Sequence, residues 1–359
     1  MAPDHEVALS EIVKGVLGGG WALLVGWIAP AAVNVVLAFW VLSGTHWLPG
    51  IGRLLGEGDI AGATLGVAVL VGLLLAAVQT PLYRILEGYL GWPHGVANGA
   101  RERMRQRKLL LADRIAAVEL VDRERAGDLD TDGATALAAM RAHRRVRRHL
   151  DRDAAGGAVR RGLLHERLRR FPVDDSQVVA TRLGNAIRRL EEYGYDRYRL
   201  DTQIFWYELT AVADERTTKQ VEQARTTVDF FVALLYGHLA VAGVALVGAF
   251  VHPGALLWAA VVGLPLLAYC WYRLAVVTTD EWAAAVRAMV NVGRVPFAEK
   301  LGLTLPATLE EERTMWARQS RLVRLPYRDF SADDQPEPVI DAARDAPAPA
   351  PGRPVTRSR

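Results

Sequence analysis

Apolar residues in this chain gather into four long runs, and most of the charge lies between them. The runs cover residues 18–43, 61–83, 230–251 and 254–277. Each is close to or above the ~20 mostly apolar residues needed to cross roughly 30 Å of hydrocarbon. The only charged residue in them is Arg273, near the end of the fourth run between Tyr272 and Leu274. An Arg at that depth reaches the headgroups along its own stem. Trp21, Trp40, Trp47, Trp258, Trp271 and Tyr272 fall near run ends, where the membrane–water interface favours amphipathic rings. The pattern predicts an all-α polytopic membrane protein with four transmembrane helices. A mainly helical domain is inserted between the second and third.

The flanks set the expected orientation. The first run is too long for the apolar core of a secretory leader, and its flank, MAPDHEVALSEIVK, carries acids and a single Lys. Arg84, Arg101, Arg103, Arg105, Arg107 and Lys108 follow the second run. The link between the first two runs offers only Arg53, and the link between the last two is His252-Pro253. The positive-inside rule then places residues 84–228 and both termini in the cytoplasm. The expected division is a cytoplasmic segment at 1–17, two spans within 18–83, the cytoplasmic domain at 84–228 and two spans within 229–277. Cytoplasmic helices at 278–330 and a disordered tail at 331–359, rich in Ala, Pro, Asp and Arg, complete it. Residues 5–17 read as a short interfacial helix.

Within the spans, Gly18, Ala22 and Gly26, and then Gly62 and Gly66, recur at four-residue spacing. Small residues so spaced allow helix backbones to approach closely in lipid, although Gly and Ala are common throughout this chain. Pro30 and Pro265 predict kinks. Asn34, Gln79 and His238 are the polar residues of the spans. They read either as pore-lining groups or as interhelical hydrogen-bonding groups. No span carries the ring of charges expected of a selective pore.

The segment between the second and third runs reads as helices and turns. After the second run the helix continues to about residue 89, and Gly91-Trp92-Pro93 breaks it. A helix is expected at 98–126. In DLDTDG, Asp128, Asp130, Asp132 and Gly133 match the opening of a calcium loop, but the twelfth position, which needs a bidentate Glu, is Ala139. The other reading is a charged turn with Asp132 capping the next helix, and no metal is expected. That helix, about 134–150, ends in a basic block of Arg141, Arg144, Arg145, Arg147 and Arg148. Contact with anionic lipid is one reading of the block and a solvated helix face another; nucleic acid is not expected. Gly156-Gly157 marks a turn, and a short helix then ends at Pro172.

The most irregular stretch is 171–209, FPVDDSQVVATRLGNAIRRLEEYGYDRYRLDTQIFWYEL. Thr181 is placed to cap a helix through Tyr193, with Gly194 to end it. Gly184-Asn185 inside that helix is unfavourable by propensity, which points to close packing or to a side-chain amide in use there. Arg182, Arg197 and Asp201 read as an ion-pair network, structural or, in an enzyme acting on lipid headgroups, catalytic. A helix is expected from about 203 into the third run, one at 278–292 interrupted by Val295-Pro296, and a last one opened by the Thr308/Glu311 capping box.

This stretch resembles a motif of a family of bacterial four-span integral membrane proteins of uncharacterised activity, written TRLGN…E.Y…RY..D…W before the third span. The matching positions are Thr181, Arg182, Leu183, Gly184, Asn185, Glu192, Tyr193, Arg197, Tyr198, Asp201 and Trp206. The chain departs with Ala180 in place of Pro, Arg199 in place of Gly, and Tyr207-Glu208 in place of Pro-Arg. Residues 297–320 resemble the same family's C-terminal part. The resemblance implies the four-span layout and a bacterial plasma membrane, and no particular chemistry.

Composition narrows the chemistry further. Lys occurs only at 14, 108, 219 and 300, so nearly all of the 43 basic residues are Arg. The single Cys270 excludes a disulfide within one chain and a cysteine-based zinc site. Phosphate loop, nucleophile elbow, HExxH and dinucleotide fingerprints are missing from the sequence, and no cofactor is expected. The reading is a membrane-anchored cytoplasmic scaffold or regulatory module, working as a homo-oligomer or with a protein partner. The alternatives are a subunit of an oligomeric channel and the lipid-headgroup enzyme.

Overall fold

The structure, a computed structural model, describes residues 20–43 and 60–324, and no strand occurs among the described residues. The expectations for 1–17 and 331–359, and those for Gly18, Trp47 and Arg53, lie outside them. Helix α1 (Trp21–Leu42) opens the described chain. Its stretch Leu24–Ile28 is wound as a π-helix directly ahead of Pro30. Pro30 has no N–H for the preceding turn, and the wider winding makes room for its ring.

The second apolar run is not one straight helix. Helix α2 (Ile60–Ala77) meets α3 (Gln79–Glu87) at a 60° bend. Pro81 lacks the N–H that would bond to Ala77, and its ring crowds that carbonyl, so the helix breaks at Val78. Nor does α3 run on to 89. It ends at Gly88, whose φ of 90° is a left-handed conformation that suits glycine.

The polar block follows with α4 (His94–Ala126), α5 (Thr131–Ala142), α6 (Arg144–Ala155) and α7 (Gly157–Leu168). The single helix expected at 134–150 is two, divided at His143, whose ψ of 111° is extended. Its N-cap is Asp130, accepting from the Gly133 N–H at 3.0 Å, and not Asp132. Helices α8 (Arg182–Glu191), α9 (Tyr193–Tyr198) and α10 (Trp206–Val212) carry the central stretch. Gly194 does not end a helix. It lies inside α9, where a Cβ would stand 2.3 Å from Thr202 Cγ2 and 2.8 Å from the Leu200 carbonyl. Close packing is what requires glycine there.

Helices α11 (Glu215–Val251) and α12 (Ala255–Lys300) form the most extensive pair, and α13 (Leu309–Arg324) closes the described chain. The interruption expected at Val295-Pro296 does not occur: α12 continues through both Pro265 and Pro296. A proline inside a helix costs about 3 kcal/mol. Here Phe297 and Ala298 are buried beside it with Val290, Leu209 and Trp316, and that burial offsets the cost. Residues beyond the fourth apolar run therefore share one core with the central stretch.

Helices α1, α11 and α12 are each long and apolar enough to cross a membrane. The bent pair α2–α3 makes a fourth if taken as one span. Small residues do bring helices together, at Gly26 of the spaced set and at Gly72 outside it. A Cβ on Gly72 would lie 2.7 Å from Ile28 Cα, and one on Gly26 would lie 3.2 Å from Asp229 Cβ. One on Gly66 would meet nothing within 4 Å.

Candidate functional site

The central motif is a docking joint between the polar block and the apolar helices. Thr181 caps α8, accepting from the Gly184 N–H at 2.9 Å, and donates its own hydroxyl proton to the Leu86 carbonyl at 2.5 Å. That carbonyl belongs to the last turn of α3, which has no intrahelical partner to offer it. Gly184 lies against the same turn: a Cβ there would stand 2.5 Å from the Glu87 carbonyl oxygen. Asn185, 1% exposed, donates to the Val179 and Thr181 carbonyls and accepts from the Val179 N–H at 3.0 Å. Its amide thereby fixes the extended approach to α8. From the other side, the Tyr272 hydroxyl of α12 accepts from the Arg182 and Leu183 N–H groups at 3.1 and 3.3 Å. Three separate parts of the chain meet at one helix N-terminus.

Beside this joint lies a cavity of about 400 Å³ between α3, α8, α10, α11 and α12. Gln79, Tyr83, Arg84, Glu87, Glu191 and Trp206 are among its walls. Burial, and then the Glu87 carboxylate, push the Glu191 carboxyl up to about 7, against the pull of Arg188 and Arg84. Arg188 stands 3.8 Å from Glu191, and Arg84 stands 3.7 Å from Glu87. A carboxyl that exchanges its proton near neutrality, walled by aromatic rings, suits proton-linked binding of a polar or cationic group.

The expected network of Arg182, Arg197 and Asp201 is not assembled. No ion pair joins these three among the described residues. Asp201 pairs with Arg324 of α13, and its Oδ1 accepts from the Gln203 and Ile204 N–H groups. The Arg197 carbonyl accepts from Arg313. Tyr198 instead shares an acceptor with Tyr193: both hydroxyls donate to Asn291 Oδ1 at 2.9 Å. Arg294 lies over the Tyr198 ring at 4.6 Å and bonds Glu312 at 2.9 Å. Asn291, Arg294 and Glu312 carry no sequence signal beyond membership of a helix, and Tyr272 signals only the membrane interface, so none of them points to these contacts.

The polar residues of the spans are not brought together. Asn34, 4% exposed, donates to the Pro30 carbonyl at 2.7 Å and fills the space that Gly237 leaves. The Nδ1 of His238 pairs with Leu234 in its own helix at 2.9 Å, and its ring packs 6.0 Å from Trp271. Gln79 begins α3 and lines the cavity. In the basic block, Arg141 pairs with Glu124 at 2.6 Å, and Arg144, Arg145, Arg147 and Arg148 are exposed. Asp130 stands 3.6 Å from Arg123. Asp128, Asp130 and Asp132 form no group suited to hold a metal ion.

Fold and joint define a class: an all-helical protein with candidate membrane spans and a polar helical block docked onto their ends. No family model, no curated protein and no solved structure matches the chain.

Proposed function

We propose that the chain is a multi-pass protein of a bacterial plasma membrane, belonging to the four-span family that its motif resembles. Its helical block, residues 84–228, stands on the cytoplasmic face with both termini and acts as a scaffold or regulatory module. It works as a homo-oligomer or with a protein partner. One observation carries the reading. Thr181 and Gly184 seat the block on the last turn of α3, the Arg182 and Leu183 N–H groups bond Tyr272 of α12, and Asn185 braces the approach to α8 from within the block. In the bilayer, α2 supplies 18 residues, about 27 Å of helix, which nearly matches the hydrocarbon thickness. The bend then lays α3 along the headgroup layer, with Leu82, Tyr83 and Leu86 packed inward. The inward packing of Asn34 and His238 supports an anchor over a pore.

Two measurements test the proposal. A Val173→Cys substitution in a Cys270→Ser background places a thiol at an exposed site of the block. A membrane-impermeant maleimide should label it in inverted vesicles and not in intact cells. The chain in planar bilayers should show no conductance. A conductance abolished by neutral substitution of Asn34, Gln79 and His238 would replace the scaffold with a channel.

A further inference from the structure

On the opposite side of α8 from the candidate site lies a second cavity, of about 160 Å³, enclosed by α4, α7, α8 and α12. Arg107, Arg167, Arg170, Arg182 and Arg273 line it, and no carboxylate does. Arg170 is already neutralised, bonded to Asp280 at 2.5 Å and to Glu166 at 2.6 Å. The other four make no ion pair among the described residues. Among the described residues, the hydrogen-bond partner of Arg273 is the Tyr269 hydroxyl, at 3.4 Å. Arg107 and Arg182 are half-buried and Arg167 and Arg273 exposed. Burial, and then the charges of Arg182, Arg273 and Arg167, make it harder for Arg107 to keep its proton.

Like charges converging on a partly desolvated space raise the energy of the empty fold. The chain has 40 acidic residues and places none in this wall. An anion entering the cavity removes the repulsion. The side chains are guanidiniums, whose planar fork matches phosphate oxygens two at a time. The N-terminus of α8 adds its dipole, but the Arg182 and Leu183 N–H groups already donate to Tyr272. The arginines must therefore supply the bonds. The volume lies below the roughly 300 Å³ at which drug-sized ligand pockets begin, so it suits a single phosphate group and not a nucleotide. Arg273 follows Ala255 by 18 residues of one helix, about 27 Å, which sets it at the headgroup layer of a bilayer that α12 crosses.

We propose that Arg107, Arg167, Arg182 and Arg273 bind a phosphate-bearing anion at the membrane surface, either a phospholipid headgroup or free phosphate. This site is separate from the exposed basic block, which lies beyond the far half of α4. The lipid source rests on the membrane-embedded reading above.

The test uses the purified full chain in detergent. Native mass spectrometry follows retention of added phosphatidylglycerol against phosphatidylcholine. A parallel arm follows the thermal midpoint in inorganic phosphate against chloride at equal ionic strength. Two site variants are compared, Arg107→Gln with Arg182→Gln, and the more exposed Arg167→Gln with Arg273→Gln, which keeps the test open if the first does not fold. Arg144→Gln with Arg145→Gln is the control. A lipid site retains phosphatidylglycerol about tenfold better than phosphatidylcholine. That preference should vanish in the site variants and persist in the control. A free-phosphate site shows a rise in midpoint with phosphate that the site variants lose, without any lipid preference. Equal retention of both lipids together with no response to phosphate overturns the proposal. So does a preference that the folded site variants keep. A chain that stays monodisperse without detergent would instead overturn the membrane reading.

Discussion

Tyr83 donates a 2.6 Å hydrogen bond to Asp229, tying α3 to α11 across 146 residues of chain. Asp229 is 6% exposed, with Arg225 3.9 Å away and the Gly26 backbone against its Cβ. Tyr83→Phe takes the best donor from a buried carboxylate. The expected loss is about 1–3 kcal/mol, read as a lower thermal midpoint in detergent. Asp229→Asn in the Tyr83→Phe background should recover part of it, because a neutral amide is easier to bury. An unchanged midpoint in Tyr83→Phe would show that the bond does not hold the bend.

The fit of Gly184 against Glu87 predicts a contrast between two glycines. Gly184→Ala forces its new methyl to within 2.5 Å of a backbone oxygen. It should destabilise by about 1–3 kcal/mol as α8 lifts from α3. Gly66→Ala meets open space and should leave the unfolding midpoint where it is or raise it slightly. Equal effects at the two positions would contradict the docking joint.

Asn185→Ala removes three hydrogen bonds to backbone groups made by a side chain that is almost wholly buried. The Val179 N–H and carbonyl lose this partner, for which a loss of about 3 kcal/mol is expected. Asn185→Asp keeps the acceptor but loses both donated bonds, so it should fare no better above the carboxyl's pKa. Hydrogen exchange at Val179 would report the change directly, and protection preserved in Asn185→Ala would argue against the assignment.

A second buried charge cluster lies within the polar block. Asp153, 1% exposed, receives Arg114 through two bonds of 2.7 and 2.9 Å and Arg160 through one of 2.8 Å. Burial opposes its ionisation, but the two arginines outweigh it and hold the carboxyl below its usual range. Its contribution is therefore present above about pH 4 and is lost as pH falls through the depressed folded value. Asp153→Asn leaves Arg114 buried beside a neutral group and should cost about 3–5 kcal/mol. Denaturant melts of parent and variant should converge as the pH is lowered.

Glu191 has the opposite sign. Its folded value of about 7 lies above the ordinary 4.5, so the folded chain keeps a proton that the unfolded chain releases. Stability falls as pH rises from 4.5 to 7 and then levels off. Glu191→Gln should flatten that fall, match the parent near pH 4 and exceed it at pH 8. The effect is limited because the side chain is 37% exposed. Melts that stay parallel across the whole range would remove Glu191 from the proton-linked reading.

Much of the local structure was legible from the chain alone. Thr181 announces a helix N-terminus because its hydroxyl, three residues before an amide it can reach, is a short-range device. The improbable Gly184-Asn185 pair signals that something besides propensity holds α8, but it does not name Glu87 or Val179 as the neighbours. Pro296 misled in the other direction. Its local preference to end a helix lost to burial of Phe297, which stacks on Trp316 at 5.4 Å. The Arg182, Arg197 and Asp201 grouping failed for a similar reason: nearness in sequence put them together, and Arg324 and the turn at Gln203 drew Asp201 away.

The sequence by itself determined the helical class, the long apolar helices and the position of the polar block between them. These follow from composition and periodicity, which act over one or a few turns. Only the tertiary structure decided the partners across the chain. It set the 60° break ahead of Pro81, the docking of Thr181 on Leu86 and the continuity of α12. It also brought four arginines from α4, α7, α8 and α12 to one cavity. Such contacts depend on how whole helices stack, and no local pattern of residues encodes which distant backbone they will meet.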